Sequence, residues 1–348
     1  MVQGPASVHV NGTCHVFGCQ FSNYDLEVPD GKLLPFEPAP HCGFEIKLLR
    51  GGSSWTTSSF SAGTRMWQRK VETLLSAAGA KKKLVVLVIG GTDKGKSSFA
   101  MFLANEAIDA GFLPCVVDSD IGQGDLAPPG VMGAAAITKQ LVDLRDIKVS
   151  AYRFVGSLTP PGFEEIIIRG IFELVNLMKI IGDLIIVNTD GYVANRGASY
   201  KAEIVRAIRP DYVVTLGWIS GLRNLLGSGP WQILRLTSNI YGAKSKVGRS
   251  NRRAAQFNRY IGKKRVTKVA SELVFIYKGR PISATTALAI ASHETLFVGL
   301  GLEGRMIGFG IAIALNSREI VVTGDFVDFD TLHFSKIRFG HGQRLVES

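Results

Sequence analysis

Eight residues constrain this chain more than anything else in it. Gly90-Gly91-Thr92-Asp93-Lys94-Gly95-Lys96-Ser97 fits the pattern GxxxxGK[ST] at every position. Before it stands Leu84–Ile89, a continuous apolar run of the kind expected for a strand buried on both faces of a parallel sheet. After it, Ser97–Ala110 reads as a helix, with Gly111 as its terminator. Strand, glycine loop and helix together let backbone N–H groups point inward at phosphates. The helix N-terminus adds roughly half a positive charge at the same place. Lys96 is then expected to reach the β- and γ-phosphates, and the Ser97 hydroxyl to ligate Mg²⁺. The nucleotide-binding set is Gly90, Gly91, Thr92, Asp93, Lys94, Gly95, Lys96, Ser97 and Ser98. The motif implies binding of a nucleoside triphosphate without saying what the nucleotide is used for.

Further strands are expected at Pro114–Asp118, Tyr152–Val155, Leu184–Asn188 and Tyr212–Leu216, with helices near Phe163–Met178 and Lys201–Ile208 between them. Alternation of this kind makes a doubly wound α/β domain. Residues 1–62 read as a small β module, with short runs such as Ser7–Val10 and Phe44–Leu49 separated by turn residues. Met66–Ala78 is a short helical pattern with Trp67 and Val71 on one face. From about 270 the pattern returns to β. In Ile307–Leu315 the odd positions are bulky and the even ones are Gly or Ala, giving a strand with one bulky and one bare face. The expected fold class is α/β. A central P-loop domain with a parallel sheet (63–268) is flanked by an N-terminal β domain (1–62) and a C-terminal mainly-β domain (269–348).

The second chemical element is Asp118-Ser119-Asp120-Ile121-Gly122-Gln123, at the end of the strand that follows the P-loop helix. In an extended segment, carboxylates two apart point to the same side. That permits a division of labour. One of Asp118 and Asp120 can hold a metal, directly or through water, and the other can accept a proton from a hydroxyl nucleophile. Such a pair suits a kinase acting on an alcohol better than a GTPase that positions water. Asn188-Thr189-Asp190 matches a guanine-reading NKxD only loosely, because Thr replaces the Lys.

The formal net charge of +11 has a location. Between Tyr212 and Ser271 there is no Asp or Glu, and twelve of the 40 basic residues fall there. The remainder, 28 basic against 29 acidic, is close to neutral. A field this concentrated attracts polyanions such as nucleic acid or nucleotide phosphates. Arg249, Arg252, Arg253, Gln256, Arg259 and Lys263 share one helical face, and Ala254, Phe257 and Ile261 the other. This basic stretch, near 244–265, is expected to be a lid over the nucleotide, with arginines able to clamp a transferring phosphoryl group or a nucleic-acid backbone.

These residues resemble the RNA 5′-hydroxyl kinase family, which includes the pre-mRNA cleavage-factor and tRNA-splicing kinase, the rRNA-processing kinase and stand-alone archaeal polynucleotide kinases. The P-loop is close to the family's form. Asp118-Ser119-Asp120-Ile121-Gly122-Gln123 resembles its DxDxGQ segment, followed by Pro129-Gly130. Phe154-Val155-Gly156-Ser157-Leu158-Thr159-Pro160-Pro161-Gly162 resembles the clasp that holds the RNA end. Val187-Asn188-Thr189-Asp190-Gly191-Tyr192-Val193 resembles NTxGW, and Val247-Gly248-Arg249-Ser250 with Arg252-Arg253 resembles the arginine lid. The resemblance implies that Asp120 is the general base for the RNA 5′-OH, with Lys96 and Ser97 in their P-loop roles. It implies RNA contacts from Gln123, Thr159, Tyr192 and Arg249, and a catalytic arginine at Arg252 or Arg253. Tyr192 stands where the family frequently has Trp and still offers a π face.

The function these readings imply is transfer of the γ-phosphoryl of ATP, with Mg²⁺, to the 5′-OH end of RNA. Single-stranded DNA stays open as an acceptor. The alternatives are an ATP-binding scaffold without turnover and a P-loop NTPase acting on a protein partner. The apolar runs fall far short of the ~20 residues of a membrane span. Four cysteines make no disulfide framework, and a reducing cytoplasm is expected. Cys14, His15, Cys19, His41 and Cys42 lack the paired spacing of a zinc site. His333 and His341 read as surface or packing residues; Trp218 and Trp231 are open to a role as RNA contacts, but beside Leu225, Leu226 and Ile233 they are expected in the core.

Overall fold

The computed structural model describes residues 1–56, 59–238, 246–291, 295–316, 318–326, 328–339 and 345–347, with the backbone alone for 59–66, 246, 247 and 345–347. Lys244, at the start of the expected lid, and His341 lie outside the described residues. The chain forms two compact units that interleave along the sequence. The first comprises Met1–Val117, Ala135–Lys148 and Val175–Arg249, and the second Asp118–Ala134, Val149–Leu174 and Ser250–Ser348.

Twelve elements form and support the site. They are β1 (Leu84–Gly90), α1 (Lys96–Asp109), β2 (Pro114–Asp118), β3 (Val131–Ala136), β4 (Ala151–Phe154), α2 (Glu164–Ile181), β5 (Leu184–Asn188), α3 (Gly197–Ile208), β6 (Tyr212–Leu216), β7 (Gln232–Leu236), α4 (Lys246–Tyr260) and β8 (Thr331–Phe339).

In the first unit the strands run in the order β2-β5-β1-β6-β7. β5 and β6 both pair parallel with β1, and β7 parallel with β6. Every residue of β1, β5 and β6 is buried, which is why their sequences are unbroken apolar runs rather than alternating ones. The chain passes from β1 to β2 and β5 on one side, then crosses to β6 and β7 on the other. The carboxyl ends of β1 and β6 thus flank the point where strand order reverses, the place where open α/β sheets hold ligands. The helix before β1, Ser59–Ala80, buries Trp67, Val71, Leu74 and Ala78 at helical spacing, and Trp67 meets Phe99 of α1 edge-on at 5.7 Å. The N-terminal sheet is built on Ala6–Val16. Its inward residues Ala6, Val8, Val10, Cys14 and Val16 alternate with more exposed ones.

In the second unit β3 and β4 form an antiparallel pair. An eight-stranded sheet supplies the rest, with β8 between Leu296–Leu302 and Val274–Tyr277. Phe257 of α4 sits in an aromatic cluster, 4.9 Å from Phe297 and 5.3 Å from Phe339, so the apolar face expected of this helix is its anchor. The strand Arg305–Leu315 has the expected alternation, but the bare side is the better covered one. Gly308, Gly310 and Ala312 are buried, whereas Ile313 is exposed. A Cβ on Gly308 would lie 2.2 Å from the Phe326 ring, so that glycine is required by the aromatic laid over it.

The expectation of a core position for Trp218 is overturned. Its side chain is 78% exposed, because it follows the end of β6 instead of lying within it. Trp231 is half-buried just before β7.

Candidate active site

The P-loop geometry follows from the glycines and one strained residue. Gly95, with φ 88°, caps α1, and Asp93 also adopts positive φ, at 58°. A Cβ on Gly90 would lie 2.8 Å from the Leu216 carbonyl oxygen, so β1 and β6 approach too closely there for any side chain. Lys96 is buried and donates to the Gly91 carbonyl at 2.8 Å, which lays its chain along the loop. Ser97 Oγ accepts from Asn188 Nδ2 at 3.1 Å, and Thr189 Oγ1 donates to the Val88 carbonyl at 2.8 Å. The Asn-Thr pair at the end of β5 thus orients the hydroxyl expected to meet the metal. The sequence motifs that include Asn188, a loose NKxD and an NTxGW-like segment, did not point to this contact. Arg249 lies 3.4 Å from Asp93, which brings one lid arginine onto the P-loop.

The turn after β5 is held by a buried ion pair that sequence reading did not foresee. Lys201 Nζ lies 2.8 Å from Asp190 Oδ2, with side-chain exposures of 0% and 6%. Tyr200 Oη donates to the same oxygen at 3.1 Å, and the Tyr192 backbone N–H donates to Asp190 Oδ1 at 2.8 Å. Gly191, between them, leaves no room for a Cβ, which would meet Thr92 Oγ1 at 2.4 Å. Tyr192 is therefore mounted on a turn pressed against the P-loop. The signal available in the sequence was a Lys at the fifth position of α3, beside Tyr200, on an otherwise buried helix face.

The second unit gathers another set. Asp118 ends β2, and the residues after it turn instead of continuing extended, so the shared side expected for Asp118 and Asp120 does not come from a strand. Asp118 Oδ2 accepts the Asp125 N–H at 2.6 Å, and its Oδ1 the Asp120 N–H at 3.3 Å. Asp120 Oδ1 accepts from the N–H groups of Gly122 at 3.1 Å and Gln123 at 2.9 Å. Gln123 Oε1 is buried and accepts no hydrogen bond among the described residues. Gly122 lies against the clasp, since a Cβ there would be 2.9 Å from the Leu158 carbonyl oxygen. In the clasp, Ser157 Oγ donates to the Thr159 carbonyl at 2.8 Å, which leaves Thr159 at the exposed bend. The clasp is fixed from beneath by β8, where the Lys336 N–H donates to the Gly156 carbonyl at 2.7 Å. Above Phe163 stand two ammonium groups, Lys278 at 4.5 Å and Lys336 at 5.5 Å from the ring centroid.

Within this unit α4 turns much of its polar face inward. Arg252 pairs with Asp125 at 2.5 Å, with side-chain exposures of 10% and 3%. Gln256 Nε2 donates to the Asp125 carbonyl at 2.7 Å and Tyr260 Oη to the Leu126 carbonyl at 2.9 Å. Burial pushes the Tyr260 hydroxyl above its usual range, with Asp118 and Asp125 adding to the effect and Arg259 opposing it, so it stays a donor. Arg253 is half-buried and Arg259 exposed.

The sequence-derived site residues thus divide. The first unit holds the P-loop set Gly90 to Ser98, together with Tyr192 and Arg249. The second holds Asp118, Asp120, Gln123, Thr159, Arg252 and Arg253.

Residues 90–263, half of the chain, match the family described as mRNA cleavage and polyadenylation factor CLP1 P-loop. The chain belongs to this family. Among curated proteins it is similar to a polyribonucleotide 5′-hydroxyl-kinase of Pyrococcus horikoshii, 28% identical over 236 residues, or 66% of this chain and 64% of that protein. It is also similar to a polyribonucleotide 5′-hydroxyl-kinase of Pyrococcus abyssi, 25% identical over 272 residues and 75% of each chain. The match spans under two thirds of the first two curated relatives, 64% and 63% of their lengths. Among solved structures, a Clp1p–Pcf11p complex superposes with a TM-score of 0.73 at 12% identity, covering 96% of this chain and 93% of that one. CLP1 family membership and the shared fold agree with the α/β reading of the sequence, P-loop at the centre and β domains on either side. No helix among the described residues is long and apolar enough to cross a membrane.

Proposed function

We propose that this CLP1 family chain is an ATP-dependent polynucleotide 5′-hydroxyl kinase acting on RNA. The observation that carries the reading is the second unit's turn. There Asp120 and Gln123 are held on a loop whose Gly122 abuts the clasp, so a carboxylate, a buried amide oxygen and the clasp bend sit on one framework. A switch GTPase has no need of such an acceptor framework. The ammonium groups of Lys278 and Lys336 beside the clasp suit a phosphate backbone.

In this reading the 5′-hydroxyl loses its proton to Asp120 as its oxygen attacks the γ-phosphorus. The bond from the γ-phosphorus to the β–γ bridging oxygen breaks, and ADP leaves. Lys96 and the P-loop N–H groups hold the phosphate charge. The Ser97 hydroxyl, oriented by Asn188, is the oxygen that would ligate a Mg²⁺ ion. Mg²⁺, when bound, neutralises charge on the β- and γ-phosphates. Both Asp118 oxygens accept backbone N–H groups of their own turn, and Asp118 is assigned as the carboxylate that would help hold the ion. Arg252 is engaged by Asp125, and the arginine facing the transferred group is assigned to the neighbouring pair Arg252 and Arg253. Tyr192 and Thr159 are assigned to the RNA, Tyr192 by stacking. Four free cysteines suit a reducing compartment, and the cytoplasm is assigned on that ground.

Incubation with γ-labelled ATP and matched 5′-OH RNA and DNA oligonucleotides tests the reading. Wild type should label RNA, while Lys96→Ala and Asp120→Asn should lose about 10²-fold or more. Absence of transfer by wild type, or undiminished transfer by Asp120→Asn, overturns it.

A further inference from the structure

We propose that Trp218 is the platform on which the base of the donor nucleotide stacks. The inference rests on the reading that the P-loop holds a nucleoside triphosphate, and it adds what the glycine loop cannot supply, a contact to the base. Three observations in the first unit converge on it.

The first is place. Strand order reverses at β1 and β6, and Trp218 is the second residue past the carboxyl end of β6. The residue between, Gly217, adopts φ +80°, and a Cβ there would lie 4.0 Å from Cδ of the P-loop's Lys94. The turn that carries Trp218 thus borders the phosphate loop itself, on the crevice where open α/β sheets hold nucleotides.

The second is exposure combined with restraint. Trp218 is 78% exposed. An indole left so far in water forfeits most of the gain that aromatic burial brings. It is nevertheless held. The Arg235 guanidinium carbon lies 5.2 Å from the ring centroid, and Arg235 is fixed in the β7 ladder opposite Thr215. A guanidinium near the ring both orients it and draws on its π density.

The third is an unsatisfied hydroxyl. Ser238 Oγ is buried and has no hydrogen-bond partner among the described residues, and Ser238 Cβ lies 3.9 Å from the Cβ position of Gly217. A buried hydroxyl without a partner is costly unless a ligand completes it. A ribose hydroxyl or a base edge would do so.

Stacking through a π face tolerates every base, so the site accepts ATP and GTP without strong preference between them. The residue is then one that sets affinity for the nucleoside part and leaves the phosphate part alone.

Calorimetric titration of the full chain with ATP, GTP and inorganic tripolyphosphate tests this, with Trp218→Ala and Trp218→Phe beside wild type. Trp218→Ala should weaken ATP and GTP about 5- to 150-fold, the equivalent of one lost stacking contact. Tripolyphosphate should bind as it does to wild type, and Trp218→Phe should recover most of the loss. The KM for ATP should rise in step with the dissociation constant. Unchanged ATP affinity in Trp218→Ala overturns the proposal, as does an equal loss of tripolyphosphate. So does a loss confined to binding of a 5′-OH RNA oligonucleotide, which would make Trp218 an acceptor contact. Because binding is read without phosphoryl transfer, failure of the kinase reading would show separately, as wild-type protein that binds ATP through Trp218 and labels no oligonucleotide.

Discussion

Replacing Lys201 by Met tests the buried pair beneath the Tyr192 turn. The substitution keeps the length of the side chain and removes its charge. In the native protein the ammonium is fully buried and 2.8 Å from an Asp190 carboxylate that is 6% exposed. Removing one partner of such a pair strands the other charge, at a cost of about 3–5 kcal/mol. Asp190 keeps two donors, the Tyr200 hydroxyl and the Tyr192 N–H, which places the loss near the lower end, about 3 kcal/mol. At roughly 2–4 °C per kcal/mol for a unit of this size, the melting temperature should fall by about 6–12 °C. Asp190→Asn combined with Lys201→Met removes both charges. The double variant should therefore recover, leaving a coupling of about 2 kcal/mol or more in the double-mutant cycle. Differential scanning calorimetry on the four proteins gives the answer. The reasoning fails if Lys201→Met melts within about 2 °C of wild type, or if the two single losses simply add.

Two further outcomes follow from local geometry. Gly191→Ala would place a Cβ 2.4 Å from Thr92 Oγ1 and 2.7 Å from Thr92 N, and a backbone neighbour cannot rotate away. Overpacking of about 1–3 kcal/mol against the P-loop should weaken ATP and tripolyphosphate alike in titration, unlike any change at Trp218. His333, half-buried beside Phe154, has its pKa lowered by desolvation from 6.5 to about 4. A base depressed in the folded state favours the unfolded chain once pH drops below 6.5, where only the unfolded chain takes up the proton. The stability is therefore complete above 6.5 and is lost as pH falls toward 4, by up to about 3 kcal/mol. Melting temperatures of wild type and His333→Gln, followed from pH 7 to 4, should diverge over that window, and parallel curves would exclude the effect.

The sequence carried the buried sheet well and its margins poorly, for a physical reason. Pro114–Asp118, Leu184–Asn188 and Tyr212–Leu216 are strands over the residues expected, because a strand covered on both faces must be apolar throughout and stops where polarity returns. Val131–Ala136 was missed: Gly and Ala make up most of it, and these residues carry little strand preference. Gln232–Leu236 was missed because it lies at the end of the sheet order and is only partly buried. The basic helix was legible as a helix with a cationic face. Its partners were not, since the carboxylates that meet Arg249 and Arg252 stand 156 and 127 residues away. A charge run without carboxylates reads as a solvated surface until the fold brings carboxylates to it. Trp218 failed in the opposite direction, because hydrophobicity alone sends a Trp to the core.

The loops at the strand ends share one device, and it bears on how the chemistry should be tested. Asp118, Asp120 and Asp190 each accept backbone N–H groups of their own turn. A carboxylate used this way shapes the loop whether or not it reacts. For Asp120 the two roles can be separated by choice of substitution. Asn keeps the Oδ1 that receives the Gly122 and Gln123 N–H groups and cannot take a proton. Ala removes both the acceptor and the base. If Asp120 is the general base, Asp120→Asn should bind RNA and melt close to wild type while label transfer collapses, and Asp120→Ala should lose RNA affinity as well. If Asp120 only braces the turn, Asp120→Asn will transfer phosphate at nearly the wild-type rate and the damage will appear in Asp120→Ala alone. The pair of variants distinguishes a residue that reacts from one that holds the Gly122 contact to the clasp.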